Sequence, residues 1–326
     1  MTLKMIKKIH QVWSEYDLEG ISDIKSISGG LINETYRIIN NKNKVYILQK
    51  LQKIFDQDLM ADVQVIAEHL EEKKWQCPKL LKTKKGRVFV SLDSEIWRTY
   101  EYIPGYDFSS ISIGKKFYFE VGEKLGLLHK DLVSLKYTPL HKIEGFHSKD
   151  FYLQKALKIE KKFYPVEFQA ALEELVDNLR RHSVVLGHHH QLIHGDPRVE
   201  NILFSSKGSP TTFIDYDTFM LGSIYIDIGD CLRSLMLLED DMPLSYRLEE
   251  FISGYSSGNP KTNIEYTYAL SALKYVTLEL TLRFLIDSVE QSYFFWNNEQ
   301  YKTAAEHNTV RASQHWDLFK KISKEL

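Results

Sequence analysis

The stretch Leu192–Asp230, LIHGDPRVENILFSSKGSPTTFIDYDTFMLGSIYIDIGD, decides how the rest of the chain is read. Asp196 follows His194-Gly195, Asn201 stands five positions on, and Asp215 ends an apolar run. Gly195 permits unusual dihedrals and Pro197 fixes its own φ, so Asp196 sits in a tight turn. Taken alone, an Asp-Pro step would only initiate a turn. Asn201, however, directly precedes Ile202-Leu203-Phe204, and Phe213-Ile214 delivers Asp215 at the end of a second strand-like run. That spacing matches the needs of phosphoryl transfer from a nucleotide: one carboxylate to receive a hydroxyl proton, plus an amide oxygen and a second carboxylate to hold magnesium. Asp196 takes the first role, Asn201 and Asp215 the second. Asp217, two residues further on extended backbone, points the same way as Asp215. It serves either as a second metal ligand or as a structural acceptor. His194 is read as bracing the loop rather than carrying protons, and Asp227 and Asp230 as capping a helix over 228–238.

Working outward, Gln191–His194, Asn201–Ser205 and Thr211–Asp215 are short β-type runs in an otherwise helical half. Helical periodicity marks Ile113–Leu132, Ser148–Phe163, Pro165–Leu186, Ile226–Leu238, Ser245–Tyr255, Asn263–Ser292 and Gln300–Ser323. The first hundred residues read differently. After an opening helical stretch (Ile6, Ile9, Val12, Trp13) come strand-like runs Ile21–Ser28, Glu34–Ile39 and Lys44–Leu51. An amphipathic helix over Asp56–Lys74 follows, then strands Arg87–Leu92 and Glu95–Ile103. The expected fold is therefore α+β, a five-stranded antiparallel sheet with a helix in residues 1–104 and a mainly helical part in 105–326. Pro104-Gly105 marks the boundary.

Composition narrows the partners. The 326 residues carry 43% hydrophobic and 26% charged side chains and a formal net charge of -2, which excludes the basic stripe of a nucleic-acid binder. No run of 18 or more apolar residues suggests a membrane span, and the N-terminus lacks a signal-peptide core, so a cytoplasmic location is expected. Two cysteines, Cys77 and Cys231, fit a reducing compartment. The run His188-His189-His190 has no Cys or carboxylate partner at ligand spacing and is read as a solvated helix end.

His194-Gly195-Asp196 through Asn201, followed by Ile214-Asp215, resembles the aminoglycoside phosphotransferase and choline kinase superfamily. Gly30-Leu31-Ile32-Asn33-Glu34-Thr35-Tyr36, Tyr46-Ile47-Leu48-Gln49, Ile214-Asp215-Tyr216-Asp217-Thr218, Asp227-Ile228-Gly229-Asp230 and Leu282-Arg283-Phe284-Leu285 with Tyr293-Phe294 look like the N-acetylhexosamine 1-kinases within it. The resemblance implies a bilobal protein-kinase-like fold that uses ATP and Mg2+. Gly29 and Gly30 would cover the phosphates, Glu101–Ile103 would be the adenine-binding hinge, and Leu31, Asn33, Arg283 and Tyr293 would reach the sugar. Protein kinases place a lysine on the third strand, paired with a glutamate on the next helix. Here that strand ends Gln49-Lys50, and alternation sends the two to opposite faces. Either Gln49 faces inward and the lysine is absent, or the register slips and Lys50 serves; Glu68 is the candidate partner.

Arg283 lies inside the apolar run Leu280–Ile286, where a buried guanidinium needs partners. The acids nearby (Glu265, Glu279, Asp287, Glu290) do not gather on one helical face, as a polycationic acceptor would require. The expected activity is ATP- and magnesium-dependent phosphorylation of a small sugar, at the anomeric hydroxyl of an N-acetylhexosamine. The alternatives are another hydroxyl acceptor (aminoglycoside, choline-like amino alcohol, different sugar) or a nucleotide-binding pseudokinase module.

Overall fold

Thr2 opens the first helix of the computed structural model by accepting a hydrogen bond from the Met5 N–H, and α1 (Leu3–Trp13) buries Ile9, Val12 and Trp13. The structure describes residues 1–27 and 33–326. These divide into two units. The first comprises Met1–Pro104, Pro139–Ile143 and Asp215–Asp217; the second comprises the remainder.

In the first unit, β1 (Ile21–Ile27), β2 (Glu34–Asn40), β3 (Val45–Lys50), β4 (Val90–Leu92) and β5 (Glu95–Glu101) form one antiparallel sheet in the order β1-β2-β3-β5-β4. Asn40 closes the β2–β3 hairpin by accepting the Lys42 and Lys44 N–H groups. One face of the sheet packs Tyr36, Ile38, Tyr46, Leu48 and Trp97 with Ile9, Val12 and Trp13 of α1 into a core. The helix α2 (Asp58–Glu72) follows β3. The strand expected from Arg87 begins only at Val90, because Arg87 is spent on a turn: its carbonyl accepts from Thr83 N–H and its own N–H donates to the Thr83 hydroxyl.

The second unit contains α3 (Phe117–Leu132), α4 (Lys149–Lys158), α5 (Val166–Gln169), α6 (Leu172–His182), β6 (His190–Ile193), β7 (Ile202–Phe204), β8 (Pro210–Phe213), β9 (Met220–Ser223), α7 (Ile224–Met236), α8 (Leu244–Gly258), α9 (Tyr266–Glu290) and α10 (Ala304–Glu325). β6 pairs with β9 and β7 with β8. β9 is absent from the sequence reading, because four residues running straight into a helix show no alternation to detect. The single helix expected over 165–186 breaks into α5, α6 and a 3-10 turn over 183–187. Every residue of α7 is buried, and α9 packs against it and against α10. α3 and α8 approach backbone to backbone. A Cβ on Gly122 or Gly254 would run into the carbonyl oxygens of Phe251 and Phe119. Among the described residues no helix is long and apolar enough to cross a membrane.

Candidate active site

The loop between β6 and β7 carries the residues singled out first. Gly195 has φ +84°, and a Cβ there would run into the Thr218 carbonyl oxygen. The loop is pinned from below by Asp227. This buried carboxylate accepts the backbone N–H groups of His194 and Gly195, both at 2.8 Å, and His129 Nε2 at 2.9 Å. The Tyr255 hydroxyl lies 2.7 Å from the other nitrogen of His129. The capping role expected for Asp227 is therefore wrong. α7 starts earlier, at a Ser223 cap, and Asp227 sits inside the helix facing the loop. Asp230 does not cap either; it pairs with Arg233 at 2.8 Å.

His194 is buried and works as a brace: Nε2 meets the Ile214 carbonyl at 3.1 Å and Nδ1 accepts the Asp196 N–H at 3.3 Å. Burial outweighs the attraction of Asp227 and lowers its pKa, so the ring is neutral. Asp196 keeps its side chain 30% exposed, open to a reactant, with Arg198 Nε at 3.6 Å. Asn201 donates Nδ2 to the Asp196 carbonyl (2.8 Å) and carboxylate (3.0 Å). The amide oxygen is then the Asn201 atom left to face a cation, which suits a hard divalent ion. The Asn201 carbonyl also accepts the Ile214 N–H at 2.9 Å, tying together the two strand mouths.

Asp215 has φ +67°, and Tyr216–Thr218 form a 3-10 turn. The backbone is not extended here, so the expectation that Asp215 and Asp217 point the same way fails. Asp217 is buried, with its carboxylate 2.6 and 2.7 Å from Arg98 Nη2 and 2.8 Å from Asn33 Nδ2. Of the two roles considered for Asp217, this is the geometry of an acceptor rather than of a metal ligand. Tyr216 places its hydroxyl on the Cys77 thiol.

The sheet register resolves the third-strand question. Gln49 lies opposite Arg98 and accepts from its guanidinium, while Lys50 lies on the other face and pairs with Glu34 and, at 3.8 Å, with Glu95. Glu68 is exposed and accepts from Gln64, so it partners neither residue, contrary to expectation. The buried acid of α2 is instead Asp62, which accepts the Leu140 and His141 N–H groups. Glu101 closes β5, with its N–H on the Lys79 carbonyl, and Ile103, expected in the same strand, lies two residues beyond its end. Gly29, Gly30 and Leu31 lie outside the described residues.

On α9, Arg283 is 6% exposed and surrounded by rings: Phe146, Tyr152, Tyr293 and Phe294 at 5.3, 5.2, 5.5 and 5.6 Å from its guanidinium carbon. Glu279, one turn back, stands at 3.7 Å. Burial opposes its charge, but Tyr152, Tyr293, Glu279 and Asp196 together raise its pKa, and the guanidinium stays protonated. His147 joins this cluster to the loop: its Nδ1 meets Glu279 at 3.0 Å and its Nε2 the Gly195 carbonyl at 2.7 Å. Both ring nitrogens face acceptors, so both donate. Although burial lowers its pKa, Glu279 more than compensates and the net shift is upward. Asp287 fixes Tyr293 and Phe294 by accepting their N–H groups, with Asn308 Nδ2 on the same carboxylate. The sequence reading missed Phe146, His147 and Tyr152 altogether and counted Glu279 and Asp287 only as scattered acids. The one available signal was the four-residue spacing of Glu279 and Arg283.

A kinase-like fold carrying a braced His-Gly-Asp turn with an asparagine five residues on defines a phosphotransferase. The chain belongs to the phosphotransferase enzyme family (APH), whose profile matches residues 23–260. Solved structures share the fold at low identity. A microcompartment-associated aminopropanol kinase matches with a TM-score of 0.72 at 17% identity, covering 98% of each chain. An amicoumacin kinase, solved in complex with AMP-PNP, Ca2+ and Ami, matches at 0.69 and 15%, covering 98% of this chain and 94% of that one. An aminoglycoside phosphotransferase from Alicyclobacillus acidocaldarius matches at 0.61 and 14%, covering 96% and 95%.

Proposed function

We propose that the chain phosphorylates a small neutral sugar with ATP and Mg2+, at the anomeric hydroxyl of an N-acetylhexosamine. One observation carries the acceptor reading: the aromatic enclosure of Phe146, Tyr152, Tyr293 and Phe294 is already filled by the guanidinium of Arg283 from α9. An aminoglycoside or choline would bring a cation to this place and meet Arg283 there. The carboxylate beside Arg283, Glu279, is already committed to His147 and Arg283. A neutral sugar meets no such repulsion; it accepts hydrogen bonds from a guanidinium fork and lays its apolar face on Tyr293 or Tyr152. The family membership and the nucleotide complex of the amicoumacin kinase support nucleotide use.

In this reading Asp196 orients the acceptor hydroxyl and receives its proton. Asn201 and Asp215 would hold a divalent ion through hard oxygens, and that ion would supply positive charge against the transferred phosphoryl group. Arg283 lies within electrostatic reach of Asp196, which links the acceptor cluster to the base. Asp227 and His147 hold the loop from opposite sides, so the base does not reorganise during the reaction.

The test is a panel of N-acetylhexosamines, free hexoses, aminoglycosides, aminopropanol and choline with ATP and Mg2+, reading ADP release and locating the phosphate. The expected result is turnover of an N-acetylhexosamine to its 1-phosphate, with Asp196→Asn lowering kcat by about 10²–10⁴-fold. Turnover of the amines and of no sugar would overturn the acceptor reading. Nucleotide binding without turnover on any acceptor, unchanged by Asp196→Asn, would indicate a module without chemistry.

A further inference from the structure

The first unit has no lysine on the inward face of β3, yet it buries a cation there. Thr35, Gln49 and Arg98 lie side by side across β2, β3 and β5, in direct cross-strand register. Gln49 donates to the Thr35 hydroxyl at 3.1 Å, and its carbonyl oxygen accepts from Arg98 Nε and Nη2 at 3.0 and 2.8 Å. Nη2 also holds Asp217. The guanidinium lies over the Tyr100 ring at 4.8 Å. The Arg98 side chain has no solvent exposure, and its Nη1 has no hydrogen-bond partner among the described residues.

That half-satisfied state is informative. A guanidinium has five N–H donors in a fixed fork; Nε and Nη2 are committed to Gln49 and Asp217, and the two donors on Nη1 make no hydrogen bond among the described residues. Leaving charged donors buried without an acceptor is expensive, and the natural acceptor for a cationic fork is an anionic oxygen. Two carboxylates already lie near the guanidinium, Asp217 in contact with it and Asp215 within electrostatic reach. Burial opposes the Arg98 charge, but Asp217, Tyr100 and Asp215 together raise its pKa above the ordinary value. Asn33 ties Asp217 to the entry of β2 and accepts the Gln52 N–H, fixing the chain immediately after residues 28–32.

We propose that Arg98 is the phosphate-binding cation of the nucleotide site, presented from β5 because β3 offers Gln49 in its place. The proposal rests on the nucleotide-dependent reading above. Asp217 and Gln49 orient the fork, and Nη1 donates to a phosphate oxygen of the nucleoside triphosphate. Since Gln49 and Arg98 face each other across one strand pair, the positive charge is movable: Gln49→Lys combined with Arg98→Gln shifts it one strand over.

The experiment compares binding of Mg·ATP and of adenosine, which has no phosphate, by calorimetry on the full chain. Arg98→Gln is expected to weaken Mg·ATP by about 10–100-fold, the range for a lost charge-assisted hydrogen bond, and to leave adenosine within about twofold. Adding Gln49→Lys to that variant is expected to recover most of the Mg·ATP affinity. Arg98→Lys, which keeps the charge and the pairing with Asp217, covers the case in which Arg98→Gln does not fold; it too should weaken Mg·ATP selectively. Equal weakening of Mg·ATP and adenosine would reduce Arg98 to a structural role and overturn the proposal, as would unchanged Mg·ATP affinity in either folded variant. If the natural chain binds Mg·ATP but no sugar is phosphorylated, the acceptor reading falls while Arg98 stands. If it binds no nucleotide at all, both fall.

Discussion

Two buried arginines, one in each unit, solve the same physical problem in different ways. Arg98 is held by a close ion pair, 2.6 Å from Asp217, and by the Gln49 carbonyl. Arg283 has its carboxylate at 3.7 Å and four aromatic rings around it. An ion pair at contact distance locks geometry, because each partner is left buried and uncompensated if the other goes. A ring enclosure keeps the cation by many weaker attractions and leaves its N–H fork less committed. The first arrangement suits a residue that must present charge at a fixed point; the second suits one that adjusts to a ligand.

Removing the tight partner should have the largest effect. Asp217→Ala strands Arg98 in the interior, and denaturant unfolding is expected to show a loss of about 3–5 kcal/mol, the range for one half of a buried pair. A loss under 1 kcal/mol would mean that the ion pair does not lock this region. Arg283→Ala should act on function instead, raising the acceptor KM by about 10–100-fold while the KM for ATP stays within about twofold; equal changes in both would break the distinction between the two arginines. Glu279→Gln sharpens it further. The rings remain, so the stability cost should be about 1–3 kcal/mol, that of weakened hydrogen bonds to a charged group, and smaller than that of Asp217→Ala measured in parallel.

The smallest effect is a pH dependence. His147 has a folded pKa above its ordinary 6.5: burial lowers it, but Glu279 raises it more. Its stabilisation is therefore fully present below about pH 6.5 and is lost as pH rises through the folded value. His147→Gln should flatten the stability profile on the alkaline side while leaving the acid side unchanged apart from a constant offset. An identical alkaline slope in the variant would assign the titration to another group.

How far the sequence could be read depended on whether a feature is local. Asp196, Asn201 and Asp215 were legible because a turn and two strand mouths lie within twenty residues and each has its own chain signal. The five-stranded sheet was legible for the same reason, since alternation and turn residues are local properties. Asp227 was misread because a carboxylate near the start of a helix looks like a cap, and only the packing of α7 beneath β6 turns it toward the loop. Glu68 was misassigned because helical periodicity gives a face but not what covers it.

By itself the sequence determined the kinase-like class, the five strands of the sheet and the turn and strand mouths that carry Asp196, Asn201 and Asp215, because local propensity and spacing encode those. The tertiary structure alone decided where the buried charges meet. Arg98 finds Asp217 across 119 residues, and His147 finds Glu279 across 132. Pairings of that kind leave no periodic trace in the chain, because their energy comes from desolvation and contact that exist only once distant segments are packed together.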